Sequence, residues 1–433
     1  MIAVEAVEEL KPVEARSIIE SLCRGSVPVE HVLYFTVGRE RWLQIIEDDL
    51  ANYIAAGGAK VRFLSGDYGD GKTHFLSVVQ HLVQREGFAV SFVVLTREVP
   101  MNKFELVYQE TVARLMTAPG RVGIRAVLND WLETLAPKFA TADEEERAAA
   151  LQKMAETLKD LDGMDINFAQ GLVSLVQHHY WPPEDDEAEE TREQAREVLY
   201  QWFEGIRLSK RELRPFQIFE SLNKNNSKRL LSSLIAFLLH QGYRGLILLL
   251  DELETVMGQS ASVRNGAYEN VRLLIDNAEQ AHHLHVFFSI IPDVILAEKG
   301  FKSYNALWSR VRSVNESDRL NYRSIVIDLH RTPLENAELV ELGRRLRRIH
   351  ELAYRWEAAN IVTDDYIVEA CETQQRMGLL AEVRLYIKQV IRYLDMAEQD
   401  GTLEGVDPAE QLVATQREIT DAQDDGQRPA WDA

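Results

Sequence analysis

The chain has 433 residues, 46% of them hydrophobic, and a formal net charge of −21. That length and composition accommodate two or three domains with a substantial core, while the charge argues against a protein that coats nucleic acid by bulk electrostatics, though not against a local basic strip. No run of about 18 apolar residues is present, so no membrane span is expected.

Residues 1–30 read as a helical lead with Val4, Val7, Leu10, Ile18, Ile19 and Leu22 apolar. The opening MIAVEAVEEL is acidic and lacks a signal-peptide pattern. Cys23 and Cys371 lie far apart, which predicts free thiols and a cytoplasmic protein. Val37-Gly38-Arg39-Glu40 is a turn leading into an amphipathic helix, Trp42 to Ile54.

Lys60 to Ser65 then reads as a short buried strand, and His74 to Arg85 carries apolar residues at helical spacing. Between them lies Gly66-Asp67-Tyr68-Gly69-Asp70-Gly71-Lys72-Thr73, a G-x-x-x-x-G-K-T phosphate-binding loop. Glycines let the backbone curl until several N–H groups point at phosphate oxygens. The helix N-terminus, opened by His74, adds partial positive charge. Lys72 is predicted to reach the β- and γ-phosphates of ATP, and Thr73 to place its hydroxyl on Mg²⁺. In ATPases related to replication initiators and STAND proteins, a Gly-Arg-Glu turn in this position covers the adenine, which makes Arg39 a candidate nucleotide contact.

Ala89 to Leu95 is a second predicted strand, and Lys103 to Met116 a helix. Residues 31–118 thus form the first part of a P-loop core. Residues 119–240 show little strand signal and are read as a helical insertion, with helical patterns at Trp131 to Phe139, Ala148 to Leu161 and Phe168 to His179. The acidic stretch Glu184 to Glu190 reads as a solvated loop or helix start, or as a surface for a basic partner.

The second part of the core is assigned to 241–331. Gly245 to Leu250 is an apolar run ending in Asp251 and Glu252, the pattern of a doubly buried parallel strand with carboxylates at its C-terminal end. Asp251 is expected to hold Mg²⁺ through water, and Glu252 to polarise an attacking water. Leu284 to Pro292 is a further strand on which Ser289 is either a sensor of the γ-phosphate or a small polar residue without a role. His282, His283 and His285 lack a further ligand set and read as a solvated turn. Arg310, and after it Arg312, are candidate finger residues for a neighbouring subunit's γ-phosphate, or surface ion pairs. Ser324 to Leu329 looks like the last strand.

Residues 332–398 read as a helical lid. One helix carries Arg344, Arg345, Arg347 and Arg348, a basic patch that is a solvated face or touches DNA; Arg384 opens the last helix, where the lid of an AAA+ ATPase places its sensor-2 arginine. Residues 399–433 are polar and are expected to form a flexible tail. The fold class is therefore α/β: an AAA+-type P-loop NTPase core, a parallel sheet with flanking helices, a helical insertion and a C-terminal helical lid.

Gly66 to Leu76, Glu98-Val99-Pro100 with Tyr108, and Gly242-Tyr243-Arg244-Gly245 leading to Leu250-Asp251-Glu252-Leu253-Glu254 resemble the BREX-system ATP-binding protein family, in particular its smaller BrxD-like members. The resemblance spans about residues 30–395. It implies an AAA+-type fold, binding of ATP and Mg²⁺, and a place in bacterial anti-phage defence operons. Lys72, Thr73, Asp251 and Glu252 match its ATP site directly.

Two functional readings follow. In the first, the chain is an ATPase that forms a homo-oligomer and remodels or loads a partner on DNA. In the second, it is a nucleotide-gated switch or scaffold that scarcely hydrolyses ATP and recruits a helicase, nuclease or methyltransferase. A small-molecule kinase is disfavoured by the long separation of the two motifs and by the helical lid.

Overall fold

The computed structural model describes residues 7–118, 120–181, 186–276, 282–312, 320–379 and 382–427. Two helices precede the sheet, α1 (Pro12–Cys23) and α2 (Glu40–Asp49). The core then begins with β1 (Ala59–Ser65), α3 (Lys72–Arg85), β2 (Ala89–Val94) and α4 (Phe104–Ala113). A hairpin follows, β3 (Leu115–Ala118) and β4 (Arg121–Val122).

The insertion comprises α5 (Ile124–Phe139), α6 (Glu144–Lys159), α7 (Ile166–Tyr180), α8 (Asp186–Phe203), the short α9 (Lys210–Leu213) and α10 (Ser227–His240). The chain returns to the sheet through β5 (Leu246–Asp251), α11 (Ala261–Asp276), β6 (Leu284–Ile290), α12 (Pro292–Leu296), α13 (Asn305–Val311) and β7 (Val326–Asp328). The C-terminal helices are α14 (Asn336–Tyr354), α15 (Asp364–Arg376), α16 (Val383–Asp400) and α17 (Pro408–Gln427). No helix among the described residues is long and apolar enough to cross a membrane.

The seven strands lie in the order β4-β3-β2-β5-β6-β1-β7. The five parallel strands, numbered along the chain, run 5-1-4-3-2, so β6 separates the P-loop strand β1 from the carboxylate-bearing strand β5. This is the expected AAA+-type α/β core. β5 and β6 are buried along their whole length, which is why both read as unbroken apolar runs rather than alternating ones.

Alternate residues of β5 feed two separate cores. Leu246, Leu248 and Leu250 face the insertion with α4 and α11, whereas Ile247 and Leu249 face α1, α2, α3 and the C-terminal helices. The insertion is thus one outer layer of the sheet. The N-terminal lead and the lid together form the other, with α1 packed on α14. α2 is tied to β1 by a buried ion cluster: Asp49 accepts from Arg62 at 2.6 Å and Lys60 at 2.7 Å.

Three expectations are corrected. Helix α4 ends at Ala113, and Leu115 to Ala118 adds an antiparallel strand to β2; Leu115 is fully buried there, and Gly120, at φ 76°, turns the hairpin. The segment expected to be a flexible tail contains α17, which buries Leu412 and Thr415 beneath α15 and α16. Pro408 opens that helix in the position where a missing N–H costs nothing. His285 is no turn residue: it is buried in β6 against Phe287, and His282 Nδ1–H donates to the Gly57 carbonyl at 3.1 Å. Of the acidic stretch, residues 186–190 begin α8, and the part before them lies outside the described residues.

The four lid arginines are held within the chain. Arg344 and Arg347 share Asp364 at 2.9 and 2.8 Å. Arg345 pairs with Glu341 at 2.9 Å and donates to the Tyr34 carbonyl. Arg348 lies 3.4 Å from Glu8 and 3.2 Å from Glu351. Each phosphate contact would have to displace an acid already in place, which speaks against this face as a DNA clamp.

Candidate nucleotide site

The loop from Gly66 to Gly71 leaves the C-terminal end of β1 and enters α3 at Lys72. Gly71 caps the helix at φ 87° and ψ 26°, a left-handed conformation that a side chain would strain. Asp70 braces the loop by accepting the Asp67 N–H at 2.6 Å; burial pushes its carboxyl up from the usual range. Lys72 is 8% exposed. Its ammonium donates to the carbonyls of Gly66 at 2.9 Å and Asp67 at 3.1 Å, and lies 5.1 Å from the centre of the exposed Tyr68 ring.

Strand β5 brings its carboxylates to the same end of the sheet. The Thr73 hydroxyl donates to Asp251 Oδ2 at 2.8 Å. The Ser289 hydroxyl, one strand over, donates to Asp251 Oδ1 and accepts the Glu252 N–H at 2.9 Å. That N–H also lies 3.1 Å from Asp251 Oδ1. Thr73, Asp251, Ser289 and the Glu252 backbone therefore form one hydrogen-bonded chain joining α3, β5 and β6. Glu252 turns off the strand at φ 63° and ψ 44°. A non-glycine residue there costs about 1–3 kcal/mol and persists only where its surroundings impose it. The turn aims the Glu252 side chain into the pocket, where burial and the neighbouring Asp251 charge raise its pKa.

The hard oxygen donors Thr73 and Asp251 converge as a Mg²⁺ site requires. The approach to β5 has its own geometric demand. Gly245 sits at φ 149°, and a Cβ there would lie 2.4 Å from the His283 carbonyl oxygen, so the second glycine of Gly-Tyr-x-Gly is imposed by backbone contact.

The pocket extends away from the loop between the N-terminal lead and the lid. Its apolar end is lined by Val27 from the lead, by Phe35 and Val37 just before α2, and by Leu334, Leu342 and Ile387 from the lid. Arg39 lines it too and donates to the Thr332 hydroxyl at 3.1 Å, beside the Trp42 indole at 3.2 Å. His74 is neutral: burial, then Arg39, pushes its pKa down to about 4. The Thr36 hydroxyl donates to the Val32 carbonyl at 2.7 Å. It therefore accepts from His74 Nε2–H at 3.0 Å. Arg384 docks the lid on the loop, its backbone N–H donating to the Gly69 carbonyl at 3.2 Å. Its guanidinium donates to the Gly25 carbonyl of the lead.

Of the predicted site residues, Gly69, Asp70, Lys72, Thr73, His74, Arg39, Asp251, Glu252 and Arg384 all line this one pocket, with Tyr68 and Gly71. Ser289 supports it from behind. Arg310 and Arg312 lie elsewhere. Arg310 is held by Asp276 of α11, with one bond at 2.8 Å, and Arg312 is exposed at the end of α13. One contributor has no signal in the motifs, the lead segment Gly25 to Val27, which reaches the pocket only because α1 packs on α14. Glu254, the last residue of the Leu250-to-Glu254 run, has no role assigned from the sequence and is buried in the same pocket as Asp251 and Glu252.

A family model, BREX system ATP-binding protein BrxC/D, matches residues 10–415. Among solved structures the chain is similar to the Walker-type ATPase PABY2304 of Pyrococcus abyssi, at 15% identity, with 90% of this chain and 74% of that chain covered and a TM-score of 0.38. No curated protein matches.

Proposed function

Because the chain belongs to the BREX system ATP-binding protein BrxC/D family, we propose that it hydrolyses ATP as a homo-oligomer, to remodel or load a defence-system partner on DNA. The observation that carries this reading is the Thr73–Asp251–Ser289–Glu252 chain, which locks the phosphate loop to the two carboxylates. Thr73 directly, and Asp251 through water, would hold Mg²⁺; when bound, the ion offsets charge on the β- and γ-phosphates. Lys72 releases the Gly66 and Asp67 carbonyls and turns to the phosphates. The N–H groups of the loop, through His74, cradle them. Glu252 orients the attacking water, and Arg384 leaves Gly25 to meet the nucleotide. Arg310, or Arg312, acts from a neighbouring subunit as the finger.

A second reading, a nucleotide-gated switch that recruits a helicase, nuclease or methyltransferase, draws on a specific contact. Arg310 is already paired with Asp276, so its use as a finger requires that pair to break. Steady-state ATP turnover per protomer, measured across protein concentrations with Lys72→Ala as the blank, separates the two. A rate that climbs with concentration supports the oligomeric ATPase. A rate at the blank's level throughout supports the switch.

A further inference from the structure

Two residues beyond Glu252, the turn after β5 carries a second acid into the pocket. Glu254 is 7% exposed, and neither of its carboxyl oxygens has a hydrogen-bond partner. Buried carboxylates are nearly always bonded, and an unpaired one is costly. Each exception therefore calls for an explanation. Glu254 lines the pocket that holds Lys72, Asp251 and Glu252. The groups whose charges reach it are Lys72 from the phosphate loop, and Asp251 and Glu252 from the end of β5; Tyr68 in turn feels its charge. Among the described residues, no basic side chain neutralises it by contact.

We propose that Glu254 is a catalytic residue of this site, the carboxylate that receives the proton of the attacking water. The inference rests on the ATPase reading above. In the step, a water oxygen bonds to Pγ while the bond from Pγ to the β-phosphate bridging oxygen breaks. Its electron pair stays on ADP, and one water proton ends on a carboxylate. Glu252 and Glu254 divide the work. Glu252 stands at the exposed mouth, its backbone pinned by Ser289, and orients the water. Glu254 lies deeper, and both its oxygens are buried without a hydrogen-bond partner. Burial, opposed by the Lys72 charge, pushes its pKa up to about 7, close to the optimum for a general base at neutral pH. Dissimilar environments for two neighbouring carboxyls are a familiar way of dividing such roles.

The test is the pH dependence of kcat for wild type, Glu254→Gln and Glu254→Asp, with MgATP saturating. Wild-type kcat should rise through about pH 7 and level off. Glu254→Gln should lower kcat at least about tenfold, a loss of about 1.4 kcal/mol of barrier reduction, with KM for ATP little changed and the rise near pH 7 gone. Glu254→Asp should restore part of the rate and the rise. A nucleotide-free measurement accompanies it. A carboxyl whose folded pKa lies above its unfolded value destabilises the fold as pH rises through that interval. The melting temperature of Glu254→Gln should therefore gain on wild type between about pH 4.5 and 7 and hold that gain above. An unchanged kcat, or a reduced kcat that keeps the wild-type rise, overturns the assignment alone. No wild-type turnover at any pH overturns the ATPase reading and this assignment with it.

Discussion

Ser289→Ala is the sharpest probe of the hydrogen-bonded chain at the centre of the site. The hydroxyl is fully buried, donates to the Asp251 carboxylate and accepts the Glu252 N–H at 2.9 Å. Removing it deletes a bond to a charged acceptor, an effect of about 1.5–3 kcal/mol. The Glu252 N–H is not orphaned, because Asp251 Oδ1 lies 3.1 Å away, so the cost should fall in the lower half of that range. Asp251 keeps Thr73 at 2.8 Å and stays in the site, but one of its oxygens is released. Ser289 acts only through Asp251 and Glu252, so kcat should fall by about tenfold, equivalent to about 1.4 kcal/mol, while KM for ATP changes little. Urea unfolding with an unchanged m-value gives the stability change, and steady-state turnover gives the rate. A variant within about 0.5 kcal/mol of wild type, the ordinary scatter of uninvolved positions, with unchanged kcat would refute the role given to Ser289.

Two further perturbations test the layers around the site. Asp49→Ala leaves Arg62 fully buried without its partner and should destabilise the fold by about 3–5 kcal/mol; denaturant unfolding reads this, and Asp49→Ala combined with Arg62→Met should recover most of it. Arg384→Ala removes the guanidinium that joins the lid to the Gly25 carbonyl, a charge-assisted bond of about 1.5–3 kcal/mol. It should weaken binding of a fluorescent ATP analogue at least about tenfold and speed proteolysis within residues 24–30; unchanged affinity and cleavage would show that the lid does not need this contact.

What the sequence made legible is the part of the site that local geometry demands. A loop that wraps a phosphate needs Gly71 at positive φ and Lys72 at the helix start, and a strand between two layers must be apolar until it emerges at Asp251. Those demands leave residue types at fixed spacings. The apolar end of the pocket leaves none. Val27 and Phe35 reach the pocket because α1 lies on α14, more than 300 residues later in the chain, and no short pattern encodes such a contact. The lid arginines read two ways, as a solvated face or a DNA contact, for the same reason: their acids sit at Glu8, Glu341, Glu351 and Asp364, partly far away in sequence. The helix α17 hid behind polar composition because a few buried residues, Leu412 and Thr415 among them, suffice to dock it.

The charge of the chain poses a question that the site answers locally. A protein of net charge −21 must bind a polyanion in a pocket that also contains Asp70, Asp251, Glu252 and Glu254. Long-range attraction cannot draw the nucleotide in, since the summed field has the wrong sign. The attraction has to be short-ranged: the N–H groups at the start of α3, Lys72, Arg39 and Arg384. Each of these three cations is already engaged by a neutral oxygen rather than an acid: Lys72 by Gly66 and Asp67 carbonyls, Arg39 by the Thr332 hydroxyl, Arg384 by the Gly25 carbonyl. A carbonyl or hydroxyl partner carries no charge, so a phosphate that displaces it is not left beside a like charge. Arg310 and the lid arginines are each paired with a carboxylate, which repels an incoming phosphate until it moves aside. The partners of the basic residues thus separate those that face this pocket with only neutral partners from those a phosphate reaches only after a carboxylate has moved.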